Sequence, residues 1–273
     1  MILQRMAPVI FIVALSGTTC EQRSITLSPL LSLLPTNGDT CDTSGLSDDL
    51  AAGFTIDTTH PLNQKDHGCL IVSSDDGFPV LAGSQSFRFE VQPGDCSGND
   101  GFDDCANDRS RHEIQERDGI SNGETTQYEL NLFIPGQPNF KPRGANLLFL
   151  GQLTVSDQGF FTTLIYLEID DNHNLLLRTH QDFSFDVDQQ IVLASDIFDR
   201  WIHIRYEVHP APDSTGYVRV HVDDEMLYSE SRPTIPSDSG ELTFRVGIYN
   251  AFVSEAAEDF DNQVMFVDEL RKY

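Results

Sequence analysis

Lysine is scarce in this chain. Only Lys65, Lys141 and Lys272 occur among 273 residues, and 17 basic residues face 43 acidic ones, for a formal net charge of −26. A field of that sign repels nucleic acid and anionic membrane surfaces, so nucleic-acid binding is set aside. Helical periodicity is almost missing; "AFVSEAAEDF" could make one short turn. No repeat of fixed period appears, which excludes a propeller or solenoid. No Gly-x-Ser-x-Gly elbow, phosphate loop or zinc-protease motif occurs. The single tryptophan, Trp201, is read as core rather than as a platform for sugars.

Apolar runs long enough to cross a bilayer are also lacking. The N-terminus, "MILQRMAPVIFIVALSGTTCEQR", has Arg5, a short apolar run and then small residues, the pattern of a signal peptide over residues 1–20. Cys20 stands where a bacterial lipoprotein would be acylated, but Thr18-Thr19 is a poor match to the small residues usual there, so simple cleavage is favoured over a lipid anchor. Export to the cell envelope or the medium permits disulfides. Without Cys20, four cysteines remain. Cys96 and Cys105 are the natural close pair, leaving Cys41 and Cys69, although spacing alone does not fix the pairing and is not that of a zinc site.

Residues 21–50 read as a linker, and 51–273 as one domain of short apolar alternations separated by turns. "SFRFEVQPGD" puts Phe87, Phe89 and Val91 on one face and turns at Pro93-Gly94. "ANLLFLGQLTV" is a continuous apolar run, as for a strand covered on both faces. "FFTTLIYLEIDDNHNLLLRTHQ" and "GYVRVHVDDEMLYSE" read as hairpins. The expected architecture is all-β: a two-sheet antiparallel sandwich of jelly-roll type.

Two stretches carry candidate chemistry. In "RSRHEIQER", Arg109, Arg111, Glu113, Gln115 and Arg117 share one strand face, and with Arg88 they concentrate arginine in an acidic chain. In "FRVGIYN", Arg245, Gly247 and Tyr249 share another, with the bare glycine leaving room for a sugar ring. Cleaving a uronate glycan by β-elimination requires three things: a neutralised carboxylate, a base for the C5 proton and an acid for the leaving O4. Arg and Gln suit the first need and Tyr or His the others. The alternative is a solvated face with Arg–Glu pairs of little energetic worth.

These segments, in order from about residue 85 to the C-terminus, resemble the jelly-roll polysaccharide lyases that include heparin lyase I and glucuronan lyase. "RHE" resembles an Arg-x-Glu signature, "QYELNLFIP" an aromatic-rich strand, "RWIHIRYEV" a Trp-bearing strand, "FRVGIYNAF" a Lys-x-Gly-Ile-Tyr element, and "VMFVDELRKY" the final strand. The resemblance implies Tyr249, Arg245, Gln152 and Arg111 as catalytic residues, with Glu113, Gln115, Arg117 and Arg109 binding substrate. Two positions depart from the pattern. Arg245 replaces a Lys, and Thr154 stands where Gln-x-His would place a histidine after Gln152. His112, His180, His203 and His221 are the candidate substitutes for the base.

The expectation is therefore an exported lyase, monomeric, acting on an acidic polysaccharide. Its rival is a carbohydrate-binding protein that kept the fold and lost the chemistry, and a third reading is a structural surface protein. No cofactor is required. Asn99, Asp100, Asp103, Asp104 and Asp108 could hold Ca²⁺, but a solvated, disulfide-closed acidic loop is preferred, as is a solvated turn for Glu255 to Asp261. Tyr166, Tyr206 and Tyr217 are left open as groove aromatics.

Overall fold

The computed structural model describes residues 39–41, 50–54, 65–96, 98–99, 102–137, 140–141, 147–180, 183, 189–256 and 261–273. The signal peptide, Cys20, Asp100 and most of the expected linker lie outside these residues.

The alternating segments form antiparallel strands, numbered β1–β17 in chain order among the described residues. One sheet runs, in spatial order, β1 (Asp39–Thr40), β2 (Cys69–Ser73), β3 (Gln85–Val91), β17 (Gln263–Lys272), β8 (Thr126–Phe133), β13 (Trp201–His209), β14 (Tyr217–Val222) and β15 (Glu225–Ser231). The other runs β12 (Gln189–Ala194), β11 (Leu175–Thr179), β10 (Phe160–Ile169), β9 (Leu147–Asp157), β16 (Glu241–Ala251) and β6 (Arg109–Gln115), with β7 (Ile120–Ser121) also on β16. A small ribbon, β4 (Gly98–Asn99) and β5 (Phe102–Asp103), stands apart. Helical structure among the described residues is limited to two short 3-10 turns, Ser74–Asp76 and Val253–Glu255.

The inward-facing residues of both sheets make one core. It includes Phe87, Phe89 and Val91 from β3, Tyr128 and Leu130 from β8, and Phe244, Val246 and Ile248 from β16. Tyr128 stacks on Phe244 at 4.9 Å between ring centroids. Each such side chain contributes about 1.5–3 kcal/mol by leaving water. Between β14 and β15, Asp223 (φ 48) and Asp224 (φ 68) are both left-handed, as a two-residue type I′ hairpin requires.

The sandwich begins before residue 51, earlier than its sequence suggests. Asp39 and Thr40 pair with Ile71 and Leu70, Cys41 is bonded to Cys69, and Leu50 is buried in the core. The disulfide holds a polar segment that periodicity alone would leave as linker. Cys96 and Cys105 form the second disulfide.

Two of the clustered arginines do not join the others. Arg88 lies on β3 in the opposite sheet, buried against Glu90 at 2.6 Å. Arg117 is exposed beyond the end of β6 and does not extend its row. Trp201 packs on Phe133 in a satellite cluster with Leu70, Val72, Phe78, Val264 and Phe266, apart from the main core.

Candidate active site

The site is a polar row across four neighbouring strands of the second sheet. Antiparallel pairing sets Arg245 beside Gln115 and Tyr249 beside Arg111 on one flank of β16, and Arg245 beside Gln152 on the other. Gln152 in turn pairs with Tyr166 of β10, and Tyr166 with Arg178 of β11. Partners in register project to the same face, so one surface gathers Arg111, Glu113, Gln152, Arg245, Tyr249 and Tyr166.

Hydrogen bonds fix most of this row. Gln152 Nε2 donates to Glu113 Oε1 at 2.8 Å, and Thr163 Oγ1 donates to Gln152 Oε1 at 3.3 Å. Arg111 donates through Nε and Nη2 to Asp104, at 2.6 to 3.0 Å, and its Nη1 lies 3.5 Å from Glu113. The Arg111 guanidinium also sits over the Tyr249 ring, 4.1 Å from its centroid. Burial disfavours the Arg111 charge, but Asp104, Glu113 and Tyr249 outweigh it and raise the pKa above that of a free guanidinium.

Arg245 is different. It makes no ion pair among the described residues, and its buried Nε has no hydrogen-bond partner. Its guanidinium lies 5.1 Å from the Phe161 ring centroid. Burial lowers its pKa; the nearby Glu113 offsets this only in part. The Tyr249 phenol is pushed up by burial, against the pull of Arg111 and Arg109, so it is protonated at neutral pH. Arg111, Glu113 and Gln152 are buried while Arg245 and Tyr249 are half-buried, which puts the accessible part of the row on β16. Arg109 stands at the end of β6, 4.3 Å over the Phe252 ring.

Gly247 does not leave room for a sugar. At φ 148, a Cβ there would lie 2.2 Å from the His112 carbonyl oxygen and 2.5 Å from Glu113 Cα. The glycine instead lets β16 approach β6 at a bulge, where pairing with β9 shifts between Val246 and Tyr249.

The acidic loop also has another role. Asp104, beside Cys105, is buried on Arg111 rather than solvated. Asp108 accepts from the backbone N and the hydroxyl of Ser254, both at 2.8 Å, and Asp103 accepts from the backbone N of Ala106.

Phe149 was not among the sequence candidates. It stacks on Tyr166 at 4.2 Å and lies 5.6 Å from Tyr249. An odd separation from Gln152 should place it on the core face, but pairing with β10 shifts between Leu167 and Glu168 and turns it over. Gly151 inside the strand was the available signal. Glu168 and Arg178, paired at 2.6 Å, extend the row and were likewise missed.

Thr154 occupies the expected histidine position, and its hydroxyl donates to the Thr243 carbonyl at 3.2 Å. Of the candidate histidines, His180 alone packs against the row, edge-on to Tyr166 at 5.4 Å. His112 is on the reverse face of β6, and His203 and His221 are on β13 and β14 of the other sheet. Tyr206 is core, and Tyr217 stacks on His209 in that same sheet.

A family model described as polysaccharide lyase matches residues 72–271. The chain belongs to that family. Solved structures agree at the level of fold. The endo-β-1,4-glucuronan lyase of the fungus Trichoderma reesei superposes on this lyase with a TM-score of 0.56 at 14% identity, covering 82% of this chain and 93% of that one. A marine alginate lyase from Zobellia galactanivorans gives 0.53 at 15% identity, covering 82% and 85%. An alginate lyase from Pseudomonas aeruginosa gives 0.50 at 17% identity, covering 69% and 82%. No curated protein sequence matches significantly. No helix among the described residues is long and apolar enough to cross a membrane.

Proposed function

We propose that this lyase is exported and cleaves a uronate-containing polysaccharide by β-elimination at the row on β16. The observation that carries the reading is Arg245, a half-buried cation with no ion-pair partner among the described residues, beside Gln152 and facing the same side as Tyr249. A substrate carboxylate supplies the missing counter-charge. Drawing charge out of the carboxylate makes the neighbouring C5 proton acidic, because the carbanion formed there spreads onto the carboxyl oxygens.

Tyr249 then handles both protons. As phenolate it takes the C5 proton; the C4–O4 bond breaks as the C4–C5 double bond forms, and the phenol returns its proton to O4. Arg111 stabilises the phenolate through its position over the ring, and Asp104 and Glu113 hold Arg111 there. Assigning both steps to one residue removes the need for a histidine at Thr154. It also demands that H5 and O4 leave from the same face of the sugar, as they can in glucuronate or mannuronate but not after inversion at C5. The two disulfides fit an oxidising compartment, in line with export.

Elimination creates a conjugated double bond that absorbs in the ultraviolet, and hydrolysis does not. Absorbance during incubation with a panel of polyuronates should rise for the wild type and stay flat for Tyr249→Phe. A flat wild-type trace on every polyuronate, with binding retained, would replace this reading by the carbohydrate-binding one.

A further inference from the structure

Behind the active row, on the reverse face of β6, three residues meet that the elimination does not use. His67 lies in the turn before β2, Asp95 in the turn after β3, and His112 in the middle of β6. His67 Nε2 is 2.8 Å and His112 Nε2 3.3 Å from Asp95 Oδ2, and one ligand atom from each residue falls within 4.8 Å of the other two. The two imidazole rings stand at 80° to each other, 5.6 Å between centroids.

We propose that His67, Asp95 and His112 form a binding site for one divalent transition-metal ion of the zinc type. Zinc holds imidazole nitrogen and carboxylate oxygen at about 2.0–2.2 Å in a tetrahedron, which puts neighbouring ligand atoms about 3.3 Å apart. The His112–Asp95 separation of 3.3 Å matches that edge, and the His67–Asp95 separation of 2.8 Å, a hydrogen bond, would open slightly to reach it. Two imidazoles and one carboxylate favour zinc, cobalt, nickel or copper over calcium or magnesium.

The surroundings hold these ligands in place. His112 is fully buried with Nε2 aimed at the cluster, while its Nδ1 has no hydrogen-bond partner. Gly68 packs against that ring so closely that a Cβ would lie 2.3 Å from Nδ1. The backbone N of Gln92 donates to Asp95 Oδ2 at 2.7 Å and orients the carboxylate, the kind of outer contact that tunes metal ligands. His67 keeps 22% of its side-chain surface exposed, which leaves a way in from solvent.

The ion would tie β6 to the turns flanking β2 and β3 of the opposite sheet. Arg111 and Glu113 flank His112 and project to the other face, so the same tie steadies the strand that carries them. The inference does not depend on which polysaccharide the row cleaves, or on whether it cleaves one.

The test uses the full chain, stripped with a chelator and titrated with Co²⁺, whose tetrahedral complexes absorb strongly in the visible. The expected result is uptake of one equivalent, displaced by Zn²⁺, with affinity about 100-fold lower or worse in His67→Gln. Zinc at 100 times its Kd should raise the wild-type unfolding midpoint by roughly 5 °C or more and leave that of the variant unmoved. Asp95→Asn is the second variant, with circular dichroism to confirm folding. The proposal is overturned if the wild type takes up no stoichiometric metal, or if His67→Gln and Asp95→Asn bind it as the wild type does.

Discussion

Arg111 and Arg245 lie on adjacent strands and share a chemistry, yet replacement by glutamine should cost much stability at Arg111 and little at Arg245. Arg111 sits against Asp104, whose side chain is 2% exposed, and near Glu113, whose side chain is 0% exposed. Arg111→Gln leaves buried carboxylates without their cation, which costs about 3–5 kcal/mol. In a domain of this size that lowers the unfolding midpoint by roughly 10 °C. Arg245 has no ion pair among the described residues, and burial already works against its charge. Arg245→Gln removes a half-buried charge that Glu113 compensates only in part, and loses a contact with Phe161 worth about 0.5–1 kcal/mol. These effects oppose each other, so stability should stay within about 1 kcal/mol of wild type. Activity should still fall, because losing a donor aimed at a developing oxyanion costs about 10²–10³ in rate. Urea denaturation gives the first quantity and ultraviolet absorbance on a polyuronate the second. Arg245→Gln retaining full activity would refute the carboxylate assignment. A loss of 3 kcal/mol or more in that variant would refute the reading of Arg245 as a charge awaiting a partner.

Other expectations follow from the same geometry. The Tyr249 pKa is raised, so the phenolate fraction grows about tenfold per pH unit through the neutral range; kcat/KM should climb with pH accordingly, whereas a lower limb with a pKa near 6.5 would assign the base to a histidine such as His180. Asp104→Asn should lower kcat/KM by about 10- to 100-fold by loosening Arg111 over the Tyr249 ring, and equal activity in this variant would remove Asp104 from the site. Gly247→Ala should destabilise by about 3 kcal/mol or more, since its Cβ meets the backbone of β6; a neutral result in urea denaturation would contradict the close approach. Poly-mannuronate or glucuronan should be cleaved at least tenfold faster than poly-guluronate, and the reverse order in initial rates would rule out one residue moving both protons from a single face.

Alternation made the strands and the sandwich legible, because one buried face repeats every two residues wherever pairing is regular. Legibility ended at the bulges. Counting by twos from Gln152 puts Phe149 on the core face, yet it stacks on Tyr166 in the polar row. Alternation puts Gly247 on the face of Arg245 and Tyr249 but does not show why a glycine stands there, since the crowding that demands it comes from β6, a strand more than 130 positions earlier. Charge density along the chain was also a poor guide. Arg88, Arg111 and Arg117 look like one cluster in sequence, but the fold sends them to opposite sheets and a strand end.

Asp104 shows why the acidic loop could not be read correctly alone. Its partner Arg111 is seven positions away, and the turn in which the backbone N of Arg109 donates to the Asp104 carbonyl at 2.8 Å brings the two together. That contact divides the arginines into one with its counter-charge built in and one without. A clamp in which every cation was paired would have to break an ion pair before binding a carboxylate; one in which every cation was bare would strain the fold. Here Arg111 is fixed by Asp104 and Glu113 over the Tyr249 ring, whereas Arg245 has no ion pair among the described residues, which is why the proposed function gives it the substrate's carboxylate.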